Sequence, residues 1–164
     1  MRPGRRLGID VGQARVGLAV CDPSGVFATP VRTLSRDLTD QTDLTEIAQL
    51  ATELAVLEIV VGLPLLLSGD EGQAARLARS YARELAVLVA PTPVRLVDER
   101  LTTVTAHKRL RDSGVPGRGQ RAVVDQAAAV VILQSALDTE TVSGRPPGEL
   151  LSTVRKPRKK ERHR

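Results

Sequence analysis

Leu7-Gly8-Ile9-Asp10-Val11-Gly12-Gln13-Ala14-Arg15-Val16-Gly17-Leu18-Ala19-Val20-Cys21 reads as two short strands about a turn. Residues 7–11 form a nearly apolar run and 15–21 alternate in character, with the breaker Gly12 and polar Gln13 between them, so the pair closes as a hairpin. Outward from it, Asp22-Pro23-Ser24-Gly25 is a turn signal and residues 26–34 supply the third strand of a meander. Then the period changes. Over 43–57 the apolar positions Leu44, Ile47, Ala48, Leu50, Ala51, Leu54 and Ala55 recur three and four apart, which predicts an amphipathic helix. Residues 58–63 place Ile-Val-Val before Gly62 and Pro64, a buried parallel strand stopped by a breaker. A helix over 73–89 ends at Pro91 and Pro93, residues 94–97 form another buried strand, and Thr102 and Thr103 cap a helix running to about Arg111. Residues 113–120 read as a mobile loop, and 122–137, apolar nearly all round, as a helix buried against the sheet. A meander followed by strand-helix alternation gives a three-layer α/β domain of about five strands.

The chain has 164 residues, 41% hydrophobic and 26% charged, which suits one domain and leaves no length for a second lobe. Its net charge of +5 is unevenly spread. Residues 155–164 carry seven Lys/Arg against Glu161, and Arg2, Arg5 and Arg6 open the chain; between them stand 14 basic and 18 acidic residues. The expected layout is a basic N-terminal extension over 1–6, a mildly acidic domain over 7–140 and a disordered basic tail over 141–164, the ends giving weak, salt-sensitive attraction to polyanions. Phe27 and Tyr81 are the only aromatic residues, so modules that stack bases on rings are excluded and a nucleic acid must be held by its backbone. A single cysteine, Cys21, forbids an internal disulfide and multi-cysteine zinc sites, and only His107 lies outside the basic tail. A metal here must take carboxylate oxygen, which points to Mg²⁺ or Mn²⁺. No apolar run nears the roughly 18 residues of a membrane span, and a cytoplasmic protein is expected.

Several acids stand where acids are disfavoured. Asp10 lies mid-strand between Ile9 and Val11, Asp98 and Glu99 end the Val-Arg-Leu-Val strand, and Asp125 interrupts an almost wholly apolar helix. Each has a plain structural reading: an Asx turn before Gly12, a polar strand end, a first-turn acid complementing the helix dipole. Three acids at otherwise buried positions, in a chain lacking His and Cys ligands, share one economical explanation, a divalent cation held by oxygen. Their sequence separation means that only tertiary folding unites them.

Four stretches carry a resemblance. Residues 8–19 (Gly-Ile-Asp-Val-Gly-Gln-Ala-Arg-Val-Gly-Leu-Ala), Val61-Gly62-Leu63-Pro64 with Gly69 following, Asp98-Glu99-Arg100-Leu101-Thr102-Thr103, and Asp125-Gln126-Ala127-Ala128 leading to Ile132-Leu133-Gln134 resemble, in order, the motifs of the YqgF family. Its bacterial proteins are similar to Holliday-junction resolvases and are regarded as nucleases maturing the 5′ end of pre-16S rRNA. The resemblance spans residues 7–137. It implies an RNase H-like fold, a five-stranded mixed sheet of order 3-2-1-4-5 with strand 2 antiparallel, flanked by helices. It also implies that Asp10, Glu99 and Asp125 are the metal-binding, catalytic carboxylates, which decides between Asp98 and Glu99, and that Arg15 and Arg100 contact phosphate or brace a carboxylate. The sequence departs from the family's pattern at 65–68, where Leu-Leu-Leu-Ser is more apolar than expected.

Gly117-Arg118-Gly119-Gln120-Arg121-Ala122 matches a dinucleotide fingerprint, but Ser-Gly-Val-Pro stands where its strand should be. We read this segment instead as a basic loop, with Arg118 and Arg121, and Lys108 from the preceding helix, touching backbone phosphates. The functions in competition are a Mg²⁺- or Mn²⁺-dependent nuclease acting on rRNA precursor, a resolvase acting on branched DNA, and a non-catalytic RNA-binding assembly factor, in a monomer or weak homodimer. Gly8-Ile9-Asp10-Val11-Gly12 also resembles the first phosphate motif of the actin-like ATPases, which need two such domains.

Overall fold

The computed structural model describes residues 1–101 and 118–153. Strands β1 (Arg6–Val11), β2 (Arg15–Cys21) and β3 (Ala28–Ser35) form the antiparallel meander. Helix α1 (Thr42–Glu53) leads to β4 (Glu58–Leu63), α2 (Gln73–Val89) to β5 (Val94–Asp98), and β4 and β5 lie parallel to β1 in turn. A single 3-10 turn, Glu99–Leu101, follows β5; the long helix α3 spans Arg118–Ser143, and a two-residue strand β6 (Glu149–Leu150) closes the far edge antiparallel to β5. The sheet order is β3-β2-β1-β4-β5-β6.

Strand alternation divides the core in two. Leu7, Ile9, Val11, Val16, Leu18, Ile59 and Val61 face α1 and α2, whose Leu44, Ile47, Tyr81 and Leu85 complete that layer. Ala19, Cys21 and Val60 face the opposite way, against Ala128, Ala129, Ile132, Leu133, Ala136 and Leu137 of α3. Each fully buried Ile or Leu on either side stabilises the fold by about 1.5–3 kcal/mol relative to exposure. The loop between β3 and α1 is organised by Asp37, whose carboxylate accepts from the backbone N–H groups of Thr39, Asp40 and Thr42 and from the Thr42 hydroxyl.

Four expectations change. A sixth strand extends the five, because β6 covers the otherwise open edge of β5. Within the segment expected to be a disordered tail, α3 runs on to Ser143 and residues Glu149–Leu150 pair with the sheet as β6. Within the stretch expected as a basic N-terminal extension, Arg6 is 1% exposed in β1 and both Arg2 and Arg6 are bound to acids. Helix α3 is buried on one face only, leaving Val123 and Val142 exposed; its residues Arg121–Ser143 are long and apolar enough to cross a membrane, yet here they are the helix that covers the sheet. The predicted helix over 102–111 with its caps Thr102 and Thr103, His107, Lys108, most of the 113–120 loop, the side chain of Arg118 and the tail over 155–164 lie outside the described residues.

Candidate active site

The C-terminal ends of the parallel strands β1, β4 and β5 stand side by side, at the edge where open α/β sheets place ligands. Asp10 is next to last in β1 and points to the α3 side, because its neighbours Ile9 and Val11 belong to the other layer. Its partner on β2 is Gly17, and on β4 the register Ile9–Val61 leads one step on to Gly62. Glycine is required at both places by close approach. A Cβ at Gly17 would run into the backbone carbonyl of Asp125 on α3, and a Cβ at Gly62 into the carboxylate of Glu99 and into Ile132. Neighbouring strands are about 4.8 Å apart, so the row Gly17, Asp10, Gly62 brings Asp125 and Glu99 to the two flanks of Asp10. All three acids are buried, at 3%, 2% and 3% exposure for Asp10, Glu99 and Asp125.

Glu99 turns inward because β5 ends at Asp98 and the 3-10 turn starts on the next residue. Asp98 instead stays half-buried and takes a two-pronged pair from Arg100, Nε at 3.0 Å and a terminal nitrogen at 2.8 Å, which holds its carboxyl below the usual carboxylate range. Arg100 therefore braces a carboxylate, the one outside the buried trio, and its guanidinium lies beside Gly69 of the loop after β4. Arg15, first residue of β2, donates from Nε to Asp125 Oδ2 at 2.8 Å. Arg121 is exposed on α3, one turn ahead of Asp125.

The donor set is oxygen alone, as a hard divalent cation requires, and Gly62 keeps the Glu99 carboxylate close to the sheet. Among the described residues no three His, Cys, Asp or Glu groups are arranged as they stand to hold a metal ion, and Asp125 is engaged by Arg15. Two features that position the trio were not read from the sequence as parts of the site: the glycines at 17 and 62, which stand there only as a motif position and a strand breaker, and Arg36. The Arg36 backbone donates to Ala14 O at 2.9 Å and its side chain to Gly12 O at 3.4 Å, while the guanidinium lies 5.0 Å over the ring of Tyr81, so the turn between Asp10 and Arg15 is tied to the opposite layer. A glycine aligned beside a strand aspartate was the available signal; nothing in the sequence marks Arg36.

Residues 4–139 match the profile of the RuvX family, described as Holliday junction resolvase. The chain belongs to the RuvX family. Among its curated relatives, a protein of Streptomyces coelicolor is 56% identical over 155 residues, covering 94% of this chain and 92% of that one. One from Kineococcus radiotolerans is 54% identical over 164 residues, covering 100% and 86%. Both are named "Putative pre-16S rRNA nuclease". Of solved structures, T. thermophilus RuvC in complex with a Holliday junction substrate superposes on this RuvX chain with a TM-score of 0.53 at 13% identity, covering 90% of this chain and 99% of that one. That likeness is one of fold, the RNase H-like mixed sheet with helices that the motifs implied.

Proposed function

We propose that this RuvX-family chain is a nuclease that hydrolyses phosphodiester bonds with the help of a divalent cation, Mg²⁺ or Mn²⁺, and processes the 5′ end of pre-16S rRNA in the cytoplasm. The observation that carries the reading is the burial of three carboxylates from β1, the turn after β5 and α3 on one face of one sheet edge, beside two glycines that leave them room. Carboxylates gathered this way offer the all-oxygen donor set that a hard divalent cation takes. Asp10, Glu99 and Asp125 would hold the ion. When bound, such an ion neutralises charge on the phosphoryl group and lowers the pKa of water, which eases in-line attack on phosphorus and departure of the leaving oxygen. Asp10, fixed between two strands, sets the position of the site, Glu99 and Asp125 approach from the sheet edge and the helix, and the sheet floor excludes bulk water from one side. Arg121 supplies a contact for backbone phosphate at the rim.

The test is cleavage of a short RNA carrying precursor sequence, in Mg²⁺, Mn²⁺ and EDTA, by the wild-type chain and by Asp10→Asn. Cleavage in both metals, lost in EDTA and in the variant, supports the proposal; cleavage that survives Asp10→Asn refutes the assignment. The family description and the RuvC likeness favour a second reading, resolution of four-way DNA junctions, which calls for a symmetric dimer. Parallel assays on a four-way junction, with sedimentation, separate the two readings.

A further inference from the structure

The pair between Arg15 and Asp125 puts a monovalent cation on a carboxylate that the proposed function assigns to a divalent one. Three observations bear on how that conflict resolves. The contact is a single bond through Nε, unlike the two-pronged grip of Arg100 on Asp98. The Arg15 side chain is 32% exposed while that of Asp125 is 5% exposed, so the acid is fixed in the fold and the guanidinium end reaches solvent. The Arg15 backbone is pinned, its carbonyl accepting from Gly12 N–H at 2.9 Å, so a swing of the side chain leaves the turn in place. A divalent ion carries twice the charge of the guanidinium and competes with it for the buried carboxylate, and the one-third-exposed Arg15 regains solvent when it leaves. The displaced guanidinium remains tethered at the mouth of the site, and its planar fork suits a phosphate oxygen pair.

We propose that Arg15 is an exchangeable counter-ion: it caps Asp125 when no metal is present, and it turns to the backbone phosphate of the substrate when the metal takes Asp125. This rests on the metal-site reading above. It makes metal and substrate bind with positive coupling, each favouring the state in which Arg15 has left Asp125. It also makes opposite predictions from a purely structural ion pair, whose loss would disorder Asp125 and weaken metal binding.

The experiment uses the full chain and reads binding, not turnover. Mn²⁺ affinity is measured by electron paramagnetic resonance for wild type, Arg15→Gln and Arg15→Lys, and affinity for a short labelled RNA by fluorescence anisotropy in EDTA and in Ca²⁺. Arg15→Gln is expected to bind Mn²⁺ about three- to tenfold more tightly than wild type. Its RNA affinity is expected to be unchanged in EDTA and about tenfold weaker in Ca²⁺. Arg15→Lys keeps the charge and is expected to bind Mn²⁺ within about twofold of wild type. Mn²⁺ affinity that is unchanged or weakened by Arg15→Gln overturns the exchange while leaving the metal site standing. Absence of Mn²⁺ binding by the wild-type chain overturns both.

Discussion

The interface between α3 and the sheet buries acids at both of its ends, and the two ends treat them differently. At the base, where β1 and β4 begin, Glu58 and Glu140 are 1% and 2% exposed and are served by three arginines. Arg6 reaches Glu140 at 2.8 Å, Arg2 reaches Glu140 at 2.6 Å and Glu58 at 3.3 Å, and Arg95 reaches Glu58 at 2.7 Å. At the mouth, where the same strands end, three carboxylates are buried as deeply, and among the described residues one arginine, Arg15, forms a salt bridge with them. Burying a charge costs several kcal/mol unless it is matched. The base ties its acids to arginines and serves the fold; the mouth gathers three carboxylates from three separate elements at the edge where open α/β sheets place ligands, the oxygen-only donor set that the proposed cation would take.

The contrast can be broken most sharply at Asp10. Neutralising it by Asp10→Asn is expected to lower cleavage by about a thousandfold, the several kcal/mol that a metal contributes to phosphoryl chemistry. The same change keeps the shape of the side chain and is expected to leave the melting temperature in metal-free buffer close to the wild-type value; a large drop would place Asp10 with the base. The mirror experiment is Glu140→Ala. It strips Arg6 of its buried partner and is expected to cost about 3–5 kcal/mol in chemical denaturation while the turnover of folded molecules stays at the wild-type value. Gly62→Ala affects both properties at once, since its Cβ meets the Glu99 carboxylate: about 1–3 kcal/mol of stability lost, with weaker Mn²⁺ binding in the same titration.

A smaller effect comes from an acid that belongs to neither end. Asp37, accepting four hydrogen bonds at the turn before α1, has its carboxyl pulled down from 3.8 to about 2, first by the Asp40 backbone N–H and then by the Thr42 hydroxyl. A depressed carboxyl contributes stability that is complete above its unfolded value and lost as pH falls through the folded one. Melting temperature should therefore fall between pH 4 and pH 2 with a shallower slope in Asp37→Asn than in wild type; identical slopes would show that the turn bonds carry no linkage.

Much of this layout is legible in the sequence because period and breakers are local signals. The hairpin about Gly12, the helix over 73–89 and the strand over 58–63 were all predicted within a residue or so of where they lie, and the oddness of acids at Asp10 and Asp125 is visible against apolar neighbours. The partners of charged residues are another matter. Arg2 and Arg6 look like a basic extension until α3 delivers Glu140 from the far end of the chain, and periodicity does not decide between Asp98 and Glu99, because the choice is made by a 3-10 turn one residue past the strand. β6 has two residues in a Gly/Pro-rich segment, too short to carry a pattern, and exists because β5 offers an open edge.

The central claim, that the mouth is a divalent-cation site, is tested most directly by a crystal structure of the full chain grown with Mn²⁺ and examined by anomalous scattering. The prediction is an anomalous peak bonded to oxygens of Asp10 and Glu99 at roughly 2.1–2.2 Å, with Asp125 completing the set and Arg15 withdrawn from it. Absence of a peak there at saturating Mn²⁺, with Arg15 still on Asp125, would contradict it.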